Sequence, residues 1–273
     1  MKLESISGDT EGTFFRCLHD ERPDDPRVAA IRRRWFEQHK HLGLRAKVLI
    51  ADSGQVVGLC QYLPVEHSHY EGKDLMAILC MWVHGYEHHI GNQQKQGYGR
   101  FMLEAIEEDA RESGFKGVTV WGKDFPYWNP VSFYEHMGYS RIDQADNDVL
   151  VWKPFTDDAE KPRMLRQTGK VHGDPEKVSI TSLFTGWCGG CVFNLMAREA
   201  VDGLEDIADF TEVDTSIREN LLEWGISDGI LLDGKPYRSD GPPFTAEELR
   251  AEIMNLYREK TGGLKPVKAN RSD

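Results

Sequence analysis

The chain has 273 residues, 40% of them apolar and 29% charged, the balance of a folded soluble protein and more than one ordinary domain needs. Its net charge of -12 argues against a partner bound by neutralising phosphates, so no nucleic acid is expected. Apolar runs such as 77–83 are strand-sized and Met1-Lys2-Leu3-Glu4-Ser5 has no apolar signal segment, so no membrane partner and a cytoplasmic location are expected.

The first half mixes helices and strands. Asp25-Pro26 reads as an N-cap followed by proline in the first turn, where its preset φ suits a helix. Val28, Ile31 and Trp35 then recur at helical spacing, and Gly43 ends the run. Residues 46–51 and 56–63 read as strands joined through a Ser53-Gly54 turn. Residues 75–83 form a third, nearly continuous apolar strand, suited to the middle of a sheet. A helix over 101–113 puts Met102, Ile106 and Ala110 on one face, with Gly114 after it. A strand over 117–121 follows, then a short helix opened by Asn129-Pro130 and closed by Gly138, then a strand over 148–151.

The segment Gln94-Lys95-Gln96-Gly97-Tyr98-Gly99 joins the third strand to the following helix. Paired glycines there let backbone N–H groups face an anion, and the helix dipole adds to the attraction. A dinucleotide fingerprint needs a further glycine where Met102 stands, and a P-loop needs Gly-Lys-Ser/Thr where the chain has Gly99-Arg100-Phe101; both are disfavoured.

The Gln-x-x-Gly-x-Gly pattern resembles the pyrophosphate loop of the GCN5-related N-acetyltransferases (GNAT). A second segment, Asn129-Pro-Val-Ser-Phe-Tyr134-Glu-His-Met-Gly138-Tyr139, is similar to another signature of that family. The resemblance spans roughly residues 3–155. It implies an α/β (α+β) GNAT fold with a mixed central sheet, acetyl-CoA as cofactor, and direct acetyl transfer to an amine. Gln94, Gln96, Gly97, Tyr98, Gly99 and Arg100 would serve the pyrophosphate. Strand 75–83 would splay from strand 117–121, with the pantetheine arm in the gap against Trp82, Val83 and Asn129. Tyr134 would protonate the departing thiolate, a task suited to a phenol that is neutral at pH 7.

Gln94 lies eleven positions past Val83, further than the resemblance implies. The extra segment, His84-Gly-Tyr-Glu87-His88-His89-Ile-Gly-Asn, is expected to stand over the acceptor. His84 is the candidate general base, with Glu87, His88 and His89 as alternatives, because an imidazole with a pKa near ~6.5 is matched to the task. Two other readings stay open: a metal site built with Glu66, His67 and His69, and a polar loop that is merely histidine-rich.

Composition changes near residue 155. The stretch 156–177 is polar, with no sustained period, and reads as a linker. Basic residues number 18 against 23 acidic before Asp157, and 15 against 22 from it onward, so both halves are acidic. Strands are expected over 178–183, 208–213 and 229–232, the last followed by an Asp233-Gly234 turn, and helices over 191–200, 217–224 and 245–258, with a tail over 261–273.

Cys17, Cys60 and Cys80 stand alone, but Trp187-Cys188-Gly189-Gly190-Cys191 follows a strand and opens a helix. That context is the thioredoxin-like redox motif: Cys188 at a helix N-terminus favours thiolate, and Cys191 resolves the mixed disulfide. The resemblance covers roughly residues 178–258, and points to the GNAT subset with a YoaP-like C-terminal domain. It departs at Gly225-Ile226-Ser227-Asp228-Gly229-Ile230, which holds no proline where thioredoxins carry a cis-proline. Metal binding and an inert pair remain alternatives.

The expected organisation is therefore a GNAT domain over 1–155, a linker over 156–177 and a thioredoxin-like domain over 178–260. The expected function is N-acetylation of an amine, for which an acidic protein slightly favours a cationic small molecule or peptide. The alternative is a redox- or metal-responsive binding protein that holds CoA without turnover.

Overall fold

The structure is a computed structural model and describes residues 1–18, 25–126, 129–238 and 244–262. Two units separate: Met1–Leu165 with Trp187–Gly189, and Arg166–Gly186 with Gly190–Asp273.

In the first unit the strands are β1 (Lys2–Ser5), β2 (Arg45–Ile50), β3 (Val56–Pro64), β4 (Tyr70–Glu71), β5 (Met76–Val83), β6 (Gly117–Lys123), β7 (Ser140–Ala145), β8 (Asp148–Pro154) and β9 (Arg163–Met164). The helices are α1 (Gly8–Arg16), α2 (Pro26–His39), α3 (Tyr98–Glu112) and α4 (Val131–His136). Seven strands form one sheet in the order β1-β2-β3-β5-β6-β8-β7, while β4 and β9 pair separately. Every neighbour in the large sheet is antiparallel except β5 and β6, whose crossover through α3 makes them parallel.

The alternation of apolar side chains along the strands feeds two cores. Met76, Ile78, Val118 and Val120 pack with Leu103 and Ile106 of α3 and Tyr134 of α4. Val48 and Leu59 pack with Phe14 and Phe15 of α1. The Asp25 side chain accepts from the Arg27 N–H at 2.8 Å, and Pro26 opens α2. Gly43 closes the following turn at φ +88°. The elements β1, α1 and β7 have no counterpart in the sequence reading: β1 is mostly exposed, and β7 carries a register shift that blurs its period. Inside the expected linker, Arg163–Met164 forms β9 against Tyr70–Glu71.

In the second unit β10 (Val178–Phe184) leads through α5 (Val192–Val201) to a parallel β11 (Ala208–Asp214). After α6 (Arg218–Trp224), β12 (Gly229–Leu232) runs antiparallel to β10, and β13 (Lys235–Pro236) antiparallel to β12. The strand order is β11-β10-β12-β13. Asp233 and Gly234 both take positive φ, as the tight β12–β13 turn requires. The C-terminal α7 (Ala246–Thr261) buries Leu249, Ile253 and Tyr257 with Ala197 and Ala200 of α5. Of the expected tail, residues 263–273 lie outside the described residues.

Candidate functional site

Two registers break at one residue. Between β3 and β5 the pairing passes from Tyr62↔Ile78 to Gln61↔Cys80, leaving Leu79 as an extra residue on β5. Between β5 and β6 the pairing stops at Ile78↔Val120. A bulge bends its strand and increases the local twist, so β5 turns away from β6 where the extra residue sits. The Trp121 indole spans the start of the opening, donating to the Leu79 carbonyl at 3.3 Å.

The β6 side of this opening is lined by the segment before α4. The Asn129 carbonyl accepts from the Lys123 N–H at 2.8 Å, and its side-chain Nδ2 donates to the Trp121 carbonyl at 2.8 Å. Asn129 sits at φ +45°, a region that asparagine enters more readily than most residues. Its side-chain Oδ1 accepts from the Tyr134 hydroxyl at 2.9 Å. Tyr134 is 1% exposed. Burial, with a smaller contribution from the nearby Cys80, pushes the phenol pKa well above its usual value, so it keeps its proton at neutral pH.

Gly122 makes this lining possible. A Cβ there would meet the Val131 Cα at 2.9 Å and the Asn129 carbonyl oxygen at 3.0 Å. The strand expected over 117–121 stops one residue short of Gly122; a glycine at the end of an apolar strand is the signal that marks such close backbone approach.

At the far end of β5, α3 begins with Gly97 as N-cap at φ +82°, with no side-chain cap and no acidic residue in its first turn. The helix thus starts three residues earlier than expected, and the glycine pair forms its first turn. The first intrahelical bond runs from the Phe101 N–H to the Gly97 carbonyl at 3.0 Å, so the N–H groups of Tyr98, Gly99 and Arg100 point out ahead of the ladder. A Cβ at Gly99 would touch the Phe133 ring at 3.4 Å. Gln94 uses its N–H on Asn92 Oδ1 at 2.9 Å and lays its side chain against Gly85. Gln96 is exposed and reaches the Gln93 side chain at 3.4 Å. Trp82 and Val83 are half-buried on β5, paired with Leu59 and Gly58.

The histidine-rich loop divides by burial. His84 is 1% exposed; its N–H continues the strand pairing to the Val57 carbonyl at 2.9 Å, and its ring Nδ1 lies 3.0 Å from the Gly91 carbonyl. A carbonyl only accepts, so Nδ1 carries hydrogen and Nε2 is the basic nitrogen of the neutral ring. Glu87, His88 and His89 are exposed, with His88 stacked on Tyr86 at 5.5 Å. Of the residues considered for a metal, Glu66 accepts from the Asp74 N–H at 2.8 Å, and His69 stacks on Trp187 at 5.3 Å. Among the described residues no group of three or more His, Cys, Asp or Glu side chains gathers to hold a metal ion, and no helix is long and apolar enough to cross a membrane.

Cys188 is half-buried and belongs to the Trp187–Gly189 tip counted with the first unit. Cys191 is buried and is the N-cap residue of α5.

Residues 45–141 match the acetyltransferase (GNAT) domain. That stretch runs from the start of β2 into β7 and includes the opening between β5 and β6, the start of α3, and Tyr134. A curated relative, the uncharacterized N-acetyltransferase YoaP of Bacillus subtilis (strain 168), is 27% identical over 172 residues, 58% of this chain. The match covers 60% of that relative's length. Among solved structures, a ribosomal-protein-alanine N-acetyltransferase from Brucella melitensis is 18% identical and superposes with a TM-score of 0.42 over 56% of this chain and 99% of its own. The PaiA N-acetyltransferase from Thermoplasma acidophilum, solved with coenzyme A, is 13% identical with a TM-score of 0.40 over 56% and 98%.

Proposed function

We propose that the first unit is an acetyl-CoA-dependent N-acetyltransferase. The observation that carries this reading is a match to the GNAT domain whose span holds both the open strand pair and an uncapped glycine-led helix start. An anionic ligand fits that start, because three outward N–H groups and the helix dipole meet no carboxylate of the first turn. The Gly97, Tyr98, Gly99 and Arg100 backbone would hold the pyrophosphate, and the Trp82–Val83 end of β5 the pantetheine arm. Bound there, acetyl-CoA supplies an acetyl group activated as a thioester.

Tyr134 keeps its proton in a buried site at the opening, which supports its role as the acid that would protonate a leaving thiolate. His84 takes the base role through Nε2, with Nδ1 fixed by Gly91. The acceptor is an amine, preferentially a cationic small molecule or peptide given the chain's net charge of -12.

The second unit we read as thioredoxin-like. A parallel pair joined through a helix, then an antiparallel pair and a last helix, support that reading. So does a buried Cys191 at the start of α5. The CxxC then works by thiol–disulfide exchange, and free-thiol titration in reducing and oxidising buffers should lose both thiols together on oxidation. An unchanged thiol count contradicts the redox role.

For the first unit, thiol release from acetyl-CoA is to be followed with spermidine, kanamycin, tyramine and a lysine-terminated peptide. One or more should accelerate release, and Tyr134→Phe should slow it by about 10²-fold or more. Full activity in Tyr134→Phe removes the assigned acid.

A further inference from the structure

Asn129 was expected to touch the pantetheine arm, yet its polar groups are turned to the protein. Where β5 leaves, β6 loses the neighbour that would satisfy its backbone on that side, and buried backbone groups need partners. Asn129 answers two of them: its carbonyl takes the Lys123 N–H, and its Nδ2 serves the Trp121 carbonyl, each at 2.8 Å. The second bond also fixes the amide's orientation. A carbonyl accepts only, so the NH₂ faces Trp121 and Oδ1 faces the Tyr134 hydroxyl at 2.9 Å. The residue's place is set by its neighbours, with Pro130 following it and Gly122 leaving room for its backbone.

We propose that Asn129 is the positioning residue for the Tyr134 hydroxyl, and not a ligand of the pantetheine arm. The inference rests on the N-acetyltransferase reading and on Tyr134 as its acid. At rest the phenol proton points at a neutral amide oxygen. As negative charge grows on a leaving sulfur, a charge-assisted bond, roughly twice as strong, draws the hydroxyl round to it. The Tyr134 O–H bond then breaks as an S–H bond forms, and the phenolate regains a proton from water. Until that transfer the Asn129 amide oxygen holds the phenol oxygen at the opening.

The test uses the full chain, acetyl-CoA as calorimetric ligand, and thiol release with the best amine of the panel. Asn129→Gly tolerates the positive φ and removes the amide. Its acetyl-CoA affinity should stay within about threefold while kcat falls about tenfold, the size of one hydrogen bond. Asn129→Asp keeps the side chain's shape and serves if the glycine variant does not fold. Its carboxylate grips the phenol proton and faces the Trp121 carbonyl with no hydrogen, so kcat should fall at least as far at pH 8. Lowering the pH toward 5 protonates that carboxylate, restores a donor, and should bring kcat back toward the wild-type value at the same pH. A tenfold loss of acetyl-CoA affinity with kcat retained overturns the inference, as does an Asn129→Asp profile parallel to wild type. Failure of the underlying reading looks different: wild type then binds no acetyl-CoA, or Tyr134→Phe keeps full turnover.

Discussion

Two helices of nearly equal length begin in opposite ways. The 16-residue α7 is closed by a capping box: the Thr245 hydroxyl accepts from the Glu248 N–H at 3.2 Å, the Glu248 carboxylate accepts from the Thr245 N–H at 2.9 Å, and Glu247 adds a second acid to the first turn. The 15-residue α3 starts on a left-handed glycine with no side-chain cap and no acid in that turn. Each start leaves N–H groups beyond the reach of the helix ladder. In α7 the chain supplies their partners and gains local stability. In α3 the same donors are left facing outward with the dipole unopposed, which weakens the helix start and, in the function proposed above, would let it receive the pyrophosphate. The difference teaches that a missing cap carries information when the glycines beside it hold the backbone open.

The comparison can be broken from either side. Gly97→Val forces a β-branched residue into φ +82°, a conformation that costs about 1–2 kcal/mol, and should reshape the α3 start. Acetyl-CoA affinity, read by calorimetry, should fall about 30-fold or more. Gly122→Ala presses a methyl group on the Asn129–Val131 backbone, so kcat should fall about tenfold and stability by about 1–3 kcal/mol, read by turnover and denaturant melts. Arg100→Glu puts into α3 the first-turn acid that α7 already has. It should weaken acetyl-CoA binding about fivefold, with the loss shrinking as salt is raised.

In the opposite direction, Thr245→Ala should cost about 1 kcal/mol of stability and leave acetyl-CoA affinity unchanged. The smallest effect is one of pH. The Thr245 N–H, helped by Arg238, holds the Glu248 carboxyl below its usual range. A depressed pKa gives stability that is present above the unfolded value, near ~4.3, and is lost as pH falls through the folded value. The hydrogen-exchange protection factors at the α7 start, taken relative to the intrinsic exchange rate at each pH, should therefore fall between about pH 5 and pH 3. The α3 start, with no first-turn acid, should show no matching change.

Much of the fold was legible because its signals are local. The hairpin at Ser53-Gly54, the Asp25-Pro26 helix start and the apolar third strand each announce themselves within a few residues, and β2, β3 and β5 lie where their periods put them. The place of the glycine pair, between the apolar third strand and an amphipathic helix, was also readable. What the sequence could not display is tertiary accounting. The Leu79 bulge, the early end of the β5–β6 pairing and the stranded β6 backbone groups exist only once three strands are assembled. Asn129 looked like a helix cap followed by proline. In the fold Pro130 is the N-cap residue, and Asn129 serves the strand and Tyr134. His84 looked like part of a polar loop standing over the acceptor, yet the strand pairing runs on through its N–H and the ring is buried.

The central claim is that the opening between β5 and β6 and the uncapped start of α3 together receive acetyl-CoA. Calorimetric titration of the full chain with acetyl-CoA tests it most directly. The account predicts saturable binding of one molecule per chain, with a dissociation constant in the range of about 1 μM to 1 mM usual for enzyme substrates, lost in Gly97→Val and kept in Thr245→Ala. Wild-type chain that gives no saturable heat, or equal binding by Gly97→Val, contradicts it.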